Sequence, residues 1–457
     1  MYWTDGAVAV PSVAFSYDWL TAGSDEAPMR ETVAQFALRV GDVCLTQNED
    51  IWSRTVRDNV LVSLYPLAMW LTASWWRLHY EPLPKHGSQP STDWRLGHEL
   101  GAANHGYVWP HILMASDGEA MQIWAVPSDP KCRQSVRYLT GLQSARSVPL
   151  TDFRNAVDEF IEGVLERLRA SGHAQTDLAG LWGLVLEDRS DPEHAKVRKI
   201  EAQMGFDPEE CPDSVIAQAL ELEQRMGSAA LSELAPVYGK RGTEVGLTEI
   251  SEFADSDGLM GRPEIKRGDS GSVPQNAPPW QRAAQAARNV RRSIGETTAS
   301  IENQTLYGLL GLSANDVEEW TPASRNKVGM GIPNKGKTIK FLPRKRHPIA
   351  KRFEFARFLA DHVGGWSATD QWLASTDLAT SRQKFQRAFA AEFLCPITSV
   401  VGFLGGDFSE PAIEEAAAHY GVSDQTVESL LSNNGYIAPR QDGGWMPYRV
   451  AGQQIMF

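Results

Sequence analysis

The chain has 457 residues, 42% of them apolar, and a formal net charge of −13 at pH 7. That length accommodates two or three domains, each with its own core. The acidic balance favours solubility and disfavours indiscriminate adhesion to nucleic acid or membrane surfaces. The acid excess is uneven: from Gln281 onward there are 20 Lys and Arg against 17 Asp and Glu, so the C-terminal part is slightly basic. Cys44, Cys132, Cys211 and Cys395 are scattered without a C-x-x-C pair, which fits neither a disulfide framework nor a zinc ribbon. This usage suits a reducing cytoplasm. No run of 18 apolar residues predicts a membrane span, and the N-terminus lacks the pattern of a signal peptide.

Nine of the 15 tryptophans lie before Pro127. The opening residues read as short strands with turns. Val60 to Tyr80 reads as a helix, with Leu64, Leu67, Ala68, Leu71, Trp75 and Leu78 near a 3.6 spacing. Pro66 either kinks it or marks its true start. Asp93 to His105 reads as a second helix. His111 to Pro127 reads as a hairpin turning at Ser116–Glu119. Residues 1–150 are therefore expected to form a Trp-rich α+β module. Residues 151–238 read as helical, with Phe153, Val157, Phe160, Ile161, Val164, Leu165 and Leu168 on one face and Gly172 as a C-cap. Residues 239–279 are polar and rich in Gly, Ser and Pro, and read as a flexible linker. From Trp280 a basic helix runs to Gly295, a strand covers Thr338 to Leu342, and two helices flank Gly421.

The most informative stretch is Arg352 to Pro396. It reads RFEFARFLADHVGG, then a spacer, then RQKFQRAFAAEFLCP. This rhythm resembles the ImmA/IrrE family of metallopeptidases, where an H-E-x-x-H helix is followed by an F-A-A-E-L-L-M-P-like phrase. Ala388 to Pro396 matches the second phrase, and the tail AAAHYGVSDQTVESLLSNNGYI matches a phrase common after it. The resemblance implies a zincin-related helical domain with a small sheet over 280–457. It also implies a bacterial setting in stress response, mobile elements or phage defence.

The H-E-x-x-H frame falls on Arg357-Phe358-Leu359-Ala360-Asp361. Two His at i and i+4 would hold zinc from one helix face, with the Glu as general base. Arginine is always cationic and repels a metal, and Phe358 cannot accept a proton. An Arg357–Asp361 pair is expected instead, since opposite charges at i, i+4 attract on a helix. The family's third ligand falls on Gln383 or Phe385, neither a good zinc ligand. Asp361, His362 and Glu392 have metal-binding chemistry, but Asp361 and His362 project about 100° apart on their helix and converge poorly.

Three other constellations have a bland reading beside the functional one. His98-Glu99-Leu100-Gly101-Ala102 with His105 and His111 resembles half a zinc motif, yet Ala102 stands where the second His belongs. Lys335, Lys337, Lys340, Arg344, Lys345, Arg346, Lys351 and Arg352 form a basic cluster that can bind phosphates, dock a protein or face solvent. The helix pair around Gly421 resembles a helix-turn-helix, but its second helix offers Asp424 and Glu428 where DNA readers carry basic or amide side chains.

The expectation is an α+β, mainly helical chain whose C-terminal domain has the scaffold of a peptidase without its chemistry. Such a domain would act as a pseudo-peptidase in recognition or assembly of a protein partner, with no cofactor. Its binding groove would be lined by Phe355, Phe358, Leu359, Phe385, Phe389 and Phe393. The alternatives are an active zinc endopeptidase with unorthodox ligands and a nucleic-acid-binding subunit using the basic cluster.

Overall fold

The computed structural model describes residues 12–20, 22, 26–84, 90–131, 133–240, 242–266, 277–322, 325–366 and 371–438. The fold is mainly helical with small antiparallel sheets, an α+β architecture. It divides into two compact units, one running to Cys211 and the other from Pro212 on.

The first unit begins with β1 (Val13–Trp19), α1 (Ala27–Glu31), β2 (Val33–Val40), β3 (Val43–Cys44), β4 (Asn48–Asp50), β5 (Thr55–Arg57) and β6 (Val60–Ser63). The predicted helix from Val60 is thus split. Val60 and Val62 point inward from a strand paired with β2. The helix starts only at Tyr65, with Pro66 in its first turn, where no N–H is needed. It forms α2 (Tyr65–Ala73) and α3 (Trp75–Tyr80), followed by α4 (Thr92–His98), which Ser91 caps by accepting from the Trp94 N–H. The hairpin falls where expected: β7 (His111–Ser116) pairs with β8 (Ala120–Val126) from His111↔Val126 to Ser116↔Met121. β9 (Val136–Tyr138) and β10 (Arg146–Pro149) lead into α5 (Leu150–Ala170), α6 (Asp177–Ser190) and α7 (Pro192–Gln203). The apolar stripe of α5 is buried from Phe153 to Leu168 in one core with the tryptophans Trp70, Trp75, Trp76 and Trp109. Helices α5 to α7 therefore complete the Trp-rich module, and the later helices of the expected 151–238 region belong to the second unit.

The second unit runs through α8 (Asp213–Met226), α9 (Ser228–Leu234), α10 (Thr243–Asp255), β11 (Leu259–Gly261), α11 (Pro279–Ser293), α12 (Asn303–Leu309) and α13 (Ala314–Glu319). It continues with β12 (Gly329–Pro333), β13 (Ile339–Leu342), α14 (Pro348–Gly364), β14 (Leu373–Ser375), α15 (Ser381–Leu394), α16 (Ile397–Leu404), α17 (Glu410–Tyr420) and α18 (Asp424–Asn433). The expected linker is corrected here. Residues 243–255 are helical, with Leu247, Ile250, Phe253 and Ala254 buried. β11 then joins an antiparallel sheet of order β11-β13-β12-β14. Of that stretch, 241 and 267–276 lie outside the described residues. No single described helix is long and apolar enough to cross a membrane.

Candidate functional site

Helices α14 and α15 pack side by side, with the short strand β14 against them. Their facing apolar residues leave no groove. Phe355, Phe358, Leu359, Phe385, Phe389 and Phe393 are all buried in one core. The rings of Phe389 and Phe393 stack at 5.6 Å, and Phe355 meets Phe358 edge-on at 5.8 Å. The groove expected from these residues is corrected to a filled core: large aromatic side chains at helical spacing bury each other when nothing polar keeps the seam open.

The polar face of the same seam brings the frame positions together. Arg357 Nη2 donates to the Thr376 carbonyl at 2.6 Å and to Gln383 Oε1. Gln383 also accepts from the Thr376 N–H at 2.9 Å and donates to the Ala374 carbonyl at 3.0 Å. Asp361 does not pair with Arg357. It forms a bidentate pair with Arg382, at 2.7 Å for each bond, and accepts from the Ala374 N–H at 2.8 Å. The planar fork of Arg382 matches both carboxylate oxygens, a stronger geometry than a helix-surface contact at i, i+4. Positions 357, 361 and 383 thus meet around β14, each engaged with protein groups.

The other metal-ligand candidates go elsewhere. His362 Nε2 bonds the Ile265 carbonyl at 2.9 Å, and Glu392 accepts from Arg288 at 2.8 Å and from the Ile397 N–H at 3.2 Å. Asp361, His362 and Glu392 share no point. No group of three His, Cys, Asp or Glu side chains converges among the described residues. In the first unit His98 is buried between the Met114 carbonyl and Glu81 Oε2, at 2.9 and 3.0 Å. His105 is exposed on a left-handed turn, and His111 lines a cleft of about 410 Å³ with Arg95, Tyr107 and Trp109.

The basic cluster does not form one exposed face. Lys340 Nζ donates to the carbonyls of Ala254 and Ser256 at 2.6 and 3.0 Å. Lys351 is buried on the carbonyls of Val317 and Trp320. Arg352 is buried on Asn303 and the Ile301 carbonyl. Arg344 is buried in a bidentate pair with Asp377, at 2.6 and 3.0 Å, and meets Glu354 at 3.1 Å. Lys335, Lys337 and Arg346 are exposed, and Lys345 is half-buried. The sequence shows charge but not partner: each buried cation here caps carbonyls or carboxylates distant in the chain.

Several residues of the site escaped the sequence reading. Arg382 and Gln386 lie in the RQKFQR run beside Gln383, and Gln386 Nε2 also donates to the Ala374 carbonyl at 2.8 Å. Glu233 on α9 accepts from Thr380 Oγ1 at 2.7 Å, and burial raises its carboxyl above the usual range, opposed by Arg382. Arg344 holds Asp377 below its ordinary range despite burial. Arg357 is pushed down to about 9, by burial first and then by the guanidinium groups of Arg387 and Arg344. No protein-family model, curated protein or solved structure matches the chain.

Proposed function

We propose that the second unit is a catalytically inactive, ImmA/IrrE-like pseudo-peptidase that serves recognition or assembly of a protein partner. The observation that carries this reading is the Arg357–Gln383 bond beside the Asp361–Arg382 pair. In the resemblance zinc ligands would fall on positions 357 and 361 and on 383 or 385. A divalent cation there would face two guanidinium groups, and guanidinium offers it no lone pair. Phe358, in the general-base position, is committed to the core. Each group a peptidase would direct at substrate is here directed at β14 or at another side chain. The setting in stress, mobile-element or phage response rests on the resemblance alone.

The test is elemental analysis of protein purified without chelator, paired with thermal melting before and after EDTA dialysis. Zinc well below one per chain and an unchanged melting temperature are expected. One zinc per chain, removed by EDTA with a fall in melting temperature, would sink the reading.

A further inference from the structure

Arg357 is a buried cation, 4% exposed, whose charge no adjacent carboxylate takes up. Its Nη2 is held by neutral acceptors, the Thr376 carbonyl and the Gln383 amide oxygen. Its Nε is buried without a hydrogen-bond partner. The acids within its electrostatic reach, Glu354 and Asp377, are both engaged by Arg344. Glu354 Oε2 also accepts the backbone N–H groups of Arg344 and Lys345.

Arg387 adds to this imbalance. It sits on α15 one turn beyond Gln383, hence on the same helix face. It is half-buried and makes no hydrogen bond or ion pair among the described residues. Arg344, Lys345, Arg357 and Arg387 together face Glu354, Asp377 and Glu233, so four cations meet three anions. Removing a guanidinium from water without a counterion is costly, and a second cation beside it adds repulsion. A neutral side chain at either position would avoid both penalties. The arrangement is balanced if the counterion comes from outside the chain.

We propose that Arg357 and Arg387 form a binding site for an oxyanion, a carboxylate or phosphate group carried by the partner. The inference rests on reading this centre as a metal-free recognition site. A guanidinium presents N–H donors in a planar fork that suits carboxylate and phosphate oxygens. The free Nε–H of Arg357 supplies one such donor, and half-buried Arg387 forms the outer edge of the site. Arg344 is excluded from this role because Asp377 and Glu354 occupy its fork.

The experiment is thermal melting of the full chain in phosphate and in acetate, each against chloride of equal ionic strength. At concentrations above the dissociation constant, either oxyanion should raise the melting temperature by about 2–4 °C. Arg387→Gln should abolish most of that rise. Arg387→Lys keeps the charge without the fork and should retain part of it. A rise in phosphate alone assigns a phosphoryl group; a rise in acetate, with or without phosphate, assigns a carboxylate. No rise over chloride, or an equal rise in Arg387→Gln, overturns the proposal. If Arg387→Gln does not fold, an undiminished rise in Arg387→Lys overturns it instead. Zinc analysis of the same sample separates the two ideas: metal-free protein without an oxyanion response defeats only the anion site, and stoichiometric zinc defeats the pseudo-peptidase reading beneath it.

Discussion

Arg344 is the residue on which the electrostatics of the second unit turn. It joins the loop after β13 to α14 through Glu354 and to the segment after β14 through Asp377. Arg344→Ala strands Glu354, a fully buried carboxylate, and breaks a buried pair, which typically costs about 3–5 kcal/mol. Chemical denaturation of the variant should show that loss as a lower midpoint at similar slope. Exposed Lys335→Gln should change stability by less than about 0.5 kcal/mol. Equal stability of the two variants would show that Arg344 is a surface charge after all. In the first unit, His79 provides a pH-dependent counterpart. It is buried against Trp75, whose carbonyl its Nδ1 meets at 2.6 Å. Burial, with Arg154 and Arg189 adding repulsion, pushes it down from 6.5 to about 3 against the opposing Trp75 bond. Between those values the unfolded chain binds a proton that the folded chain refuses, so stability falls as pH drops. From pH 7 to pH 5 this one group should cost about 2 kcal/mol. Denaturation followed by Trp fluorescence at the two pH values checks it, and His79→Gln should show a smaller acid loss. An identical loss in the variant would place the acid sensitivity elsewhere.

At the scale of elements, legibility followed the range of the interactions that decide each one. The helix Leu150–Ala170 was readable because its seven buried apolar residues repeat at helical spacing and Gly172 supplies the left-handed stop. The hairpin was readable because Asp117-Gly118 offers a turn between two apolar runs. Helix α10 carried a usable signal in Leu247, Ile250 and Phe253, but Gly242 before it and the polar residues beyond it masked the period. Strand β14 has only three residues, too few for a period to emerge. Its backbone is held by Asp361, Gln383 and Gln386 from two helices, a dependence that no local pattern carries. The candidate site divides the same way. The frame at 357–361 and a third position at Gln383 or Phe385 are what the resemblance implies. The pairing could not be read from spacing, because Arg382 competes for Asp361 from 21 residues away and wins by bidentate geometry. The phenylalanines were correctly placed on the two facing helices, but spacing alone does not distinguish an open groove from a closed seam.

At the scale of the whole molecule, the division between units falls near Cys211 and Pro212, ahead of the polar stretch that suggested a boundary. The reason lies in what α8, α9 and α10 contribute. The Met226 carbonyl accepts the Trp372 N–H at 3.1 Å, next to β14. The Ala229 carbonyl accepts from Arg382 at 2.9 Å, and Glu233 takes the Thr380 hydroxyl. Ala254 and Ser256 hold Lys340, and β11 pairs with β13 from Leu259↔Phe341 to Gly261↔Ile339. A fragment beginning at Trp280 loses all of these at once. It leaves Arg382 and Lys340 with unmet donors, and it bares one edge of the sheet, an invitation to aggregation. A fragment of residues 212–438 keeps them. The 212–438 fragment should therefore melt cooperatively with near-native circular dichroism, and 280–438 should be insoluble or melt without a transition. Limited proteolysis of the full chain should likewise yield a stable C-terminal piece beginning near Pro212. If 280–438 melted as sharply and as high as 212–438, helices α8 to α10 would be an appendage to the rest of the second unit, and the interactions around Glu233 and Ala229 would contribute little to holding the site.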